Sequence, residues 1–207
     1  MVTEPATMRF GEIVRRVERA PSAIGCRVVA IDGPGGAGKS TLAERLSRAF
    51  DDAPIVHTDD FASWDEPLDW WPRLVEQVLR PLAEGRTACH QQYDWERRVL
   101  GGWIETPVRP VVILEGVSSS REAFRPYLSF AIWVETPRAV RLERGLARDG
   151  HETLPLWEQW IIAEDGYVAA ERPDLSADLV VAGAPAGTHD LLQESVVLRI
   201  GPAESGL

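Results

Sequence analysis

Short apolar runs alternate along the chain with longer segments in which apolar residues recur every three or four positions. An uninterrupted apolar run is typical of a strand buried on both faces, and the longer spacing is typical of a helix with one buried face. The predicted strands cover residues 26–32, 55–57, 111–116, 130–134 and 177–181. The predicted helices cover residues 8–19, 39–50, 72–83, 137–149 and 154–170. This alternation predicts an α/β domain with a doubly wound, five-stranded parallel sheet and helices on both faces.

The other segments carry weaker signals. Residues 1–7 are expected to be frayed, residues 63–69 to form a loop, and residues 87–103 to be irregular. Pro81 is expected to disturb the end of its helix. Residues 195–200 are apolar and predict an extra edge strand in a C-terminal extension, residues 183–207. We interpret residues 1–207 as one domain, with a leading helix within residues 1–22 and a core at residues 27–182.

The first predicted strand leads into Gly33-Pro34-Gly35-Gly36-Ala37-Gly38-Lys39-Ser40-Thr41, and a predicted helix follows. The stretch matches G-x-x-x-x-G-K-[ST], the pattern of phosphate-binding loops. Its glycines can turn successive N–H groups inward, and the helix N-terminus adds a positive dipole. Lys39 is expected to bind the phosphates of ATP and Ser40 to bind Mg²⁺. The predicted nucleotide-binding residues are Gly33, Gly35, Gly36, Ala37, Gly38, Lys39, Ser40 and Thr41.

Lys39 is also the only lysine, since 21 of the 22 basic residues are arginine. A bias towards arginine explains the rest of the chain but not this exception. A compact ammonium on a flexible stem is what a phosphate site needs and arginine does not provide.

Acidic residues follow two other predicted strands. Asp59 and Asp60 come directly after residues 55–57, and Glu115 ends the strand at residues 111–116. Ligands of parallel sheets bind at the carboxyl ends of strands, so these carboxylates are candidates for the site. Asp59 or Asp60 is a general base or, equally, part of a helix cap. Glu115 is the predicted second ligand of Mg²⁺ beside Ser40.

Basic and aromatic residues add further candidates. The helix predicted over residues 137–149 carries Arg138, Arg141, Arg144 and Arg148 at helical spacing, either as a lid over a triphosphate or as a solvated face. A cluster of tryptophans offers surfaces for stacking on a ring, although several must serve packing: Trp64, Trp70, Trp71, Trp95 and Trp103. His57 and His90 lack metal-ligand spacing and are expected to make structural hydrogen bonds.

Composition narrows the function. The 207 residues carry a net charge of −10, which disfavours a nucleic acid or an anionic membrane as the main partner. No apolar run reaches the roughly 18 residues of a membrane span. Cys26 and Cys89 form no disulfide or metal pattern, so a reducing, cytoplasmic location is expected.

The ordered set of motifs resembles the uridine kinase and phosphoribulokinase group of P-loop kinases, which includes nicotinamide riboside kinases. The resemblance extends over residues 27–182 and rests on Gly33–Thr41, Thr58-Asp59-Asp60-Phe61, Tyr93-Asp94-Trp95, Ile113-Leu114-Glu115-Gly116 and the arginines from Arg141 to Arg148. It implies a P-loop NTPase fold with a five-stranded parallel sheet, and ATP and Mg²⁺ as cofactors.

The resemblance also implies roles for individual residues. Asp59 is the expected base, and Arg141 and Arg144 form the lid, acting in catalysis with Lys39. Glu115 helps to hold Mg²⁺ through water. The expected substrate-binding residues are Asp60, Tyr93, Asp94 and Trp95. Trp95 stands where uridine kinases usually have phenylalanine, and Ala62 replaces a tyrosine that often follows the aspartates.

Three functions are compatible with these features. The leading one is an ATP-dependent kinase of a small hydroxyl compound, most of all a nucleoside such as uridine or cytidine, with nicotinamide riboside, pantothenate and sugars as alternatives. The others are a regulatory ATPase and a nucleotide-binding module without catalysis. A guanine-nucleotide switch is disfavoured because its N-K-x-D element needs an asparagine, and the chain has none. Association into a homo-oligomer is compatible with each of these functions.

Overall fold

The computed structural model describes residues 6–63, 65–185, 190 and 193–201. Trp64 lies outside the described residues. So do residues 1–5 of the predicted leading segment and residues 186–189, 191–192 and 202–207 of the predicted C-terminal extension. The strands are β1 (Ala6–Arg9), β2 (Arg27–Asp32), β3 (Ile55–His57), β4 (Ala88–Asp94), β5 (Val99–Thr106), β6 (Val111–Glu115), β7 (Leu128–Glu135), β8 (Leu179–Ala182) and β9 (Glu194–Ile200). The helices are α1 (Phe10–Arg19), α2 (Lys39–Ala49), α3 (Trp71–Leu74), α4 (Arg80–Ala83), α5 (Arg138–Asp149), α6 (Leu154–Glu171) and α7 (Pro173–Ser176). None of these helices is long and apolar enough to cross a membrane.

The main sheet has the order β3-β6-β2-β7-β8-β9-β1. Its first five strands are parallel, whereas β9 is antiparallel to β8 and β1 is antiparallel to β9. The predicted total of five strands is therefore wrong, because the described sheet has seven. All five predicted parallel strands are present, and the predicted C-terminal strand is β9, but it is not at the edge because β1 pairs with its outer side. The seventh is β1, whose first two residues were expected to be frayed and whose last two were expected to be helical; it is ordered by its pairing with β9, with Ala6 opposite Val197.

Successive residues of the central strand β2 point to opposite faces of the sheet, and helices cover both faces. Val29 and Ile31 pack with residues of α1 and α2, including Ile13 and Leu46. Val28 belongs to the core on the other face, which is built largely from the segment between Trp70 and Leu82. This arrangement places the loop after β2 at the centre of the sheet's carboxyl edge, where ligands of such sheets bind.

Two regions differ from the predictions because their structure depends on tertiary contacts. Residues 87–103 are not irregular: β4 and β5 form an antiparallel hairpin, whose β4 packs against the helical segment beside it. The predicted helix at residues 72–83 is confirmed as α3 and α4, but a π-helical turn, Val75–Leu79, joins them. Pro81 lies inside α4 and has no N–H to donate, so the preceding carbonyls need the altered bonding that a π turn provides.

The carboxylate of Asp32, at the end of β2, joins three parts of the fold. It is fully buried and accepts hydrogen bonds from the backbone N–H groups of Gly33, Ser118 and Ser120 at 2.7–2.9 Å. The hydroxyls of Ser120 and Tyr167 donate to it as well, at 2.7 and 2.6 Å. Burial raises the pKa of Asp32, while these donated bonds act in the opposite direction. Asp32 therefore fixes the start of the phosphate loop to the loop after β6 and to α6.

We expect Asp32→Asn to lower the free energy of unfolding by about 3 kcal/mol, because its amide group would face a backbone N–H that has no other acceptor. Urea denaturation measures the change. Tyr167→Phe, which removes only one donor, is the matched control and should cost about 1 kcal/mol. Equal stability of the two variants would show that the charge of Asp32 does not hold these elements together.

Candidate active site

The loop between β2 and α2 has the shape that its sequence predicts. Gly36 has φ of 73°, and a β-carbon there would lie 2.5 Å from the carbonyl oxygen of Arg141, so only glycine fits. Lys39 begins α2 and is 7% exposed. Its Nζ donates a hydrogen bond to the carbonyl of Pro34, 2.9 Å away. The lysine is thus folded back across the loop at the N-terminus of an eleven-residue helix, where the helix dipole favours an anion.

A cavity of about 1070 Å³ opens above this loop. Seven of the eight predicted nucleotide-binding residues line it, from Gly35 to Thr41, as do Asp59 from the end of β3 and Glu115 from the end of β6. Gly183, Ala184 and Pro185 form part of its wall. The single lysine and a predicted base therefore lie in one cleft at the carboxyl edge of the sheet.

Ser40 and Glu115, the predicted Mg²⁺ ligands, contact each other. The Ser40 hydroxyl donates to Glu115 Oε1 at 3.3 Å, and His57 Nδ1 lies 2.7 Å from Glu115 Oε2. Burial raises the pKa of Glu115, but the His57 hydrogen bond and the Lys39 charge outweigh burial and lower it. The bond to Glu115 in turn raises the pKa of His57.

This pair of oxygen donors fits a Mg²⁺ ion that arrives with a nucleotide. Mg²⁺ usually keeps several waters and takes one or two protein oxygens plus phosphate oxygens. Among the described residues, no group of three or more His, Cys, Asp or Glu side chains could hold a metal ion by itself. The donor set therefore suits the nucleotide-bound ion better than a permanent metal centre.

The two adjacent aspartates have different surroundings. Asp60 is 6% exposed, and its Oδ2 lies 2.9 Å from Nε2 of the buried His90, whose ring stacks on Phe61. Asp59 is exposed and lines the cavity. Loss of water around the Asp59 carboxyl raises its pKa, and the negative charge of Glu115 raises it further, whereas the positive charge of Lys39 lowers it. A raised pKa suits a carboxylate that takes up a proton.

The Tyr93-Asp94-Trp95 segment contributes one residue to the cavity wall. Trp95 lines the cavity, and its indole N–H donates to the Asp59 carbonyl at 3.2 Å. Tyr93 packs edge-on against Trp95, with ring centroids 5.2 Å apart. Asp94 accepts hydrogen bonds from the backbone N–H groups of Glu96 and Arg97 and so stabilises the hairpin turn.

The arginines of α5 also divide into two groups. Arg144 and Arg148 line the cavity, and Arg144 donates to the carbonyls of Gly36 and Gly183. Arg148 is paired with Asp149. Arg141 is 8% exposed and lies beneath the loop, where it pairs with Glu164. Arg141 does not line the cavity. Its expected role in a lid stays a prediction.

Comparison with solved structures identifies the architecture. A protein from Bacillus stearothermophilus described as a possible uridine kinase superposes with a TM-score of 0.62 at 22% identity, covering 82% of this chain and 95% of that one. A protein from Silicibacter sp. TM1040 that is described as a fructose transport system kinase gives a TM-score of 0.65 at 20% identity, covering 84% of this chain and 98% of that one. The fold is that of P-loop kinases. No family model matches the sequence, and no curated protein matches it.

Helix α6 supplies residues at the cavity and the P-loop that the sequence analysis missed. Trp157 and Trp160 line the cavity, and Glu164 accepts a hydrogen bond from the P-loop N–H of Gly35 at 2.7 Å. The three residues are spaced by three and four positions, which places them on one face of a helix. That spacing is a signal available in the sequence, but it is equally typical of a helix face in a core.

Proposed function

We propose that the protein is a kinase that transfers the γ-phosphoryl group of ATP to a hydroxyl group of a small molecule. One observation carries the proposal: Lys39 of the P-loop and the carboxylate of Asp59 line the same cleft. A phosphoryl transfer to a hydroxyl needs a cation at the phosphates and a base at the acceptor hydroxyl, and a site that only binds ATP has no need for the base.

In the proposed reaction Asp59 accepts the proton of the acceptor hydroxyl. The acceptor oxygen forms a bond to the γ-phosphorus, and the bond from that phosphorus to the oxygen of the leaving ADP breaks. Lys39, the loop amides and Arg144 offset the negative charge on the phosphates. Ser40 and Glu115 would hold Mg²⁺, which would supply positive charge that offsets the charge of the phosphates.

A nucleoside such as uridine or cytidine is the acceptor that we favour. The motifs that resemble those of uridine kinases support this acceptor. One structural neighbour is also described as a possible uridine kinase. Trp95 and Trp160 offer aromatic surfaces beside Asp59, on which a base or a sugar ring can stack. The other neighbour is described as a kinase of fructose transport, so sugars form the second group of acceptors. Both cysteines are free, which agrees with the cytoplasmic location that we propose.

We expect ADP release from ATP and Mg²⁺ to depend on an added acceptor. A coupled ADP assay over uridine, cytidine, nicotinamide riboside, pantothenate and sugars, with mass spectrometry of the product, tests this. The active acceptor should raise ADP release at least tenfold over the rate without acceptor. Slow hydrolysis that no acceptor stimulates would support a regulatory ATPase, and nucleotide binding without any ADP release would support a binding module.

A further inference from the structure

Glu164 is a buried acid for which the proposed chemistry has no use. It lies in the second half of α6 and is 1% exposed. Its Oε1 accepts the hydrogen bond from Gly35 N at 2.7 Å, and its Oε2 lies 3.3 Å from Arg141 Nη1. A buried charge is strongly unfavourable unless it is paired and hydrogen-bonded. Glu164 meets that requirement by bonding to the P-loop and to the arginine beneath it, together with a side-chain hydrogen bond to Trp160 on its own helix.

These bonds form part of a hydrogen-bonded circuit that links two residues of the P-loop, Gly35 and Ala37, through side chains outside the loop. Arg141 Nε donates to the carbonyl of Thr136 at 3.1 Å, and the Thr136 hydroxyl donates to the carbonyl of Ala37 at 2.9 Å. The circuit thus begins at Gly35 and ends at Ala37. Between them lies Gly36, which has the positive φ that shapes the loop. The residues on both sides of this turn are therefore held by groups outside the loop.

Helix α6, which carries Glu164, also connects the P-loop to the acceptor side of the cleft. Trp160, one turn before Glu164 on α6, packs against Trp95 with ring centroids 6.0 Å apart. Trp95 in turn donates to the carbonyl of Asp59. Trp157, on the same face of α6, lies so close to Gly35 that a β-carbon there would be 3.1 Å from its ring. One helix therefore contacts both the phosphate-binding loop and the aromatic wall beside the proposed base.

We propose that Glu164 is a positioning residue that, with Arg141, holds the P-loop in its phosphate-binding shape by fixing the Gly35 peptide to α6. The catalytic consequence rests on the proposed function, whereas the effect on nucleotide binding does not. A loop whose backbone must be ordered at the moment of binding loses affinity, about tenfold for a single freed residue. Glu164 thus sets how tightly the cleft binds a nucleotide without touching the phosphates.

Two conservative variants separate the effect of the length of the Glu164 side chain from the effect of its charge. Glu164→Gln keeps an oxygen at the distance of Gly35 N but loses the charge, whereas Glu164→Asp keeps the charge but is one methylene too short. We expect Glu164→Asp to raise the Kd for ADP at least tenfold and the KM for ATP similarly, with kcat within threefold. Glu164→Gln should stay within about threefold of the unmodified protein in Kd. The matched control is Glu158→Gln, an exposed acid on the same helix, which should change nothing.

Calorimetric titration with ADP and thermal unfolding of each variant complete the test. If Glu164 serves only stability, Glu164→Asp will lower the melting temperature and leave the Kd for ADP unchanged, and the proposal is overturned. It is also overturned if the Gln and Asp variants reverse their order in Kd. Should no acceptor support ADP release by the unmodified protein, the proposed function fails, while the ADP titration still decides the role of Glu164.

Discussion

Asp59→Asn will lower turnover by about 10²- to 10⁴-fold and leave the Kd for ATP within about threefold of the unmodified value. The asparagine amide cannot accept the hydroxyl proton, but the nucleotide is held by the P-loop and Lys39 rather than by Asp59. The coupled ADP assay with the active acceptor gives turnover, and calorimetry gives the Kd. Unchanged turnover would remove Asp59 from the mechanism and with it the main argument for a kinase.

Asp60→Asn is the matched control for this change. Asp60 is bonded to His90 away from the cavity lining, so the variant should lose stability more than turnover. A pH profile gives a second reading of the same site. Turnover needs ionised Asp59 and should fall as the pH drops through its pKa, which is raised. The acid limb should therefore lie above the ordinary aspartate range of about 4, and the residual activity of Asp59→Asn should lack that limb.

Lys39→Met is expected to lower kcat by about 10²- to 10³-fold. This is the range found when one preorganised hydrogen-bond donor is removed from an active site. Lys39→Arg should restore little of this loss. The ammonium is 7% exposed and folded against the Pro34 carbonyl, where a planar guanidinium does not fit. Steady-state kinetics with varied ATP measure both variants.

The control is Arg48→Lys, an exposed residue on the same helix that pairs with Glu44 at its surface. This exchange should leave kcat unchanged. Full activity of Lys39→Arg would mean that the site needs only a positive charge, and that the single lysine of the chain reflects no requirement for its shape.

The parts of the fold that the sequence predicted are those with strong local patterns. The run before Gly33 and the helical spacing after Lys39 specify a strand, a loop and a helix within about 20 residues, and the structure has all three. β1 could not be predicted in this way. Its four residues carry no pattern of their own and become a strand by pairing with β9, almost 190 positions later in the chain. The hairpin of β4 and β5 was missed because few of its residues are buried, and two of those, His90 and Thr106, are polar, so its strands lack a regular alternation of apolar and polar residues.

The site shows the same limit at the level of side chains. Arg141 and Arg144 are one helical turn apart, and no pattern in the sequence separates their roles. Their surroundings differ because Glu164 approaches α5 from another helix and pairs with Arg141 alone. Asp59 and Asp60 are separated in the same manner, since His90 on the hairpin pairs with Asp60. Motifs therefore predicted which residues would gather, and distant partners decided which of them face the cleft.

The double contact of α6 has a consequence for redesign. Any exchange at Trp157 or Trp160 that enlarges the proposed acceptor pocket should also disturb the helix that we propose supports the P-loop. Libraries aimed at new acceptors should therefore vary the hairpin side of the pocket, beginning with Trp95 and Tyr93, and leave α6 intact. Selections that include α6 should return enzymes whose ATP requirement worsens as their acceptor range widens, whereas hairpin libraries should escape that trade-off.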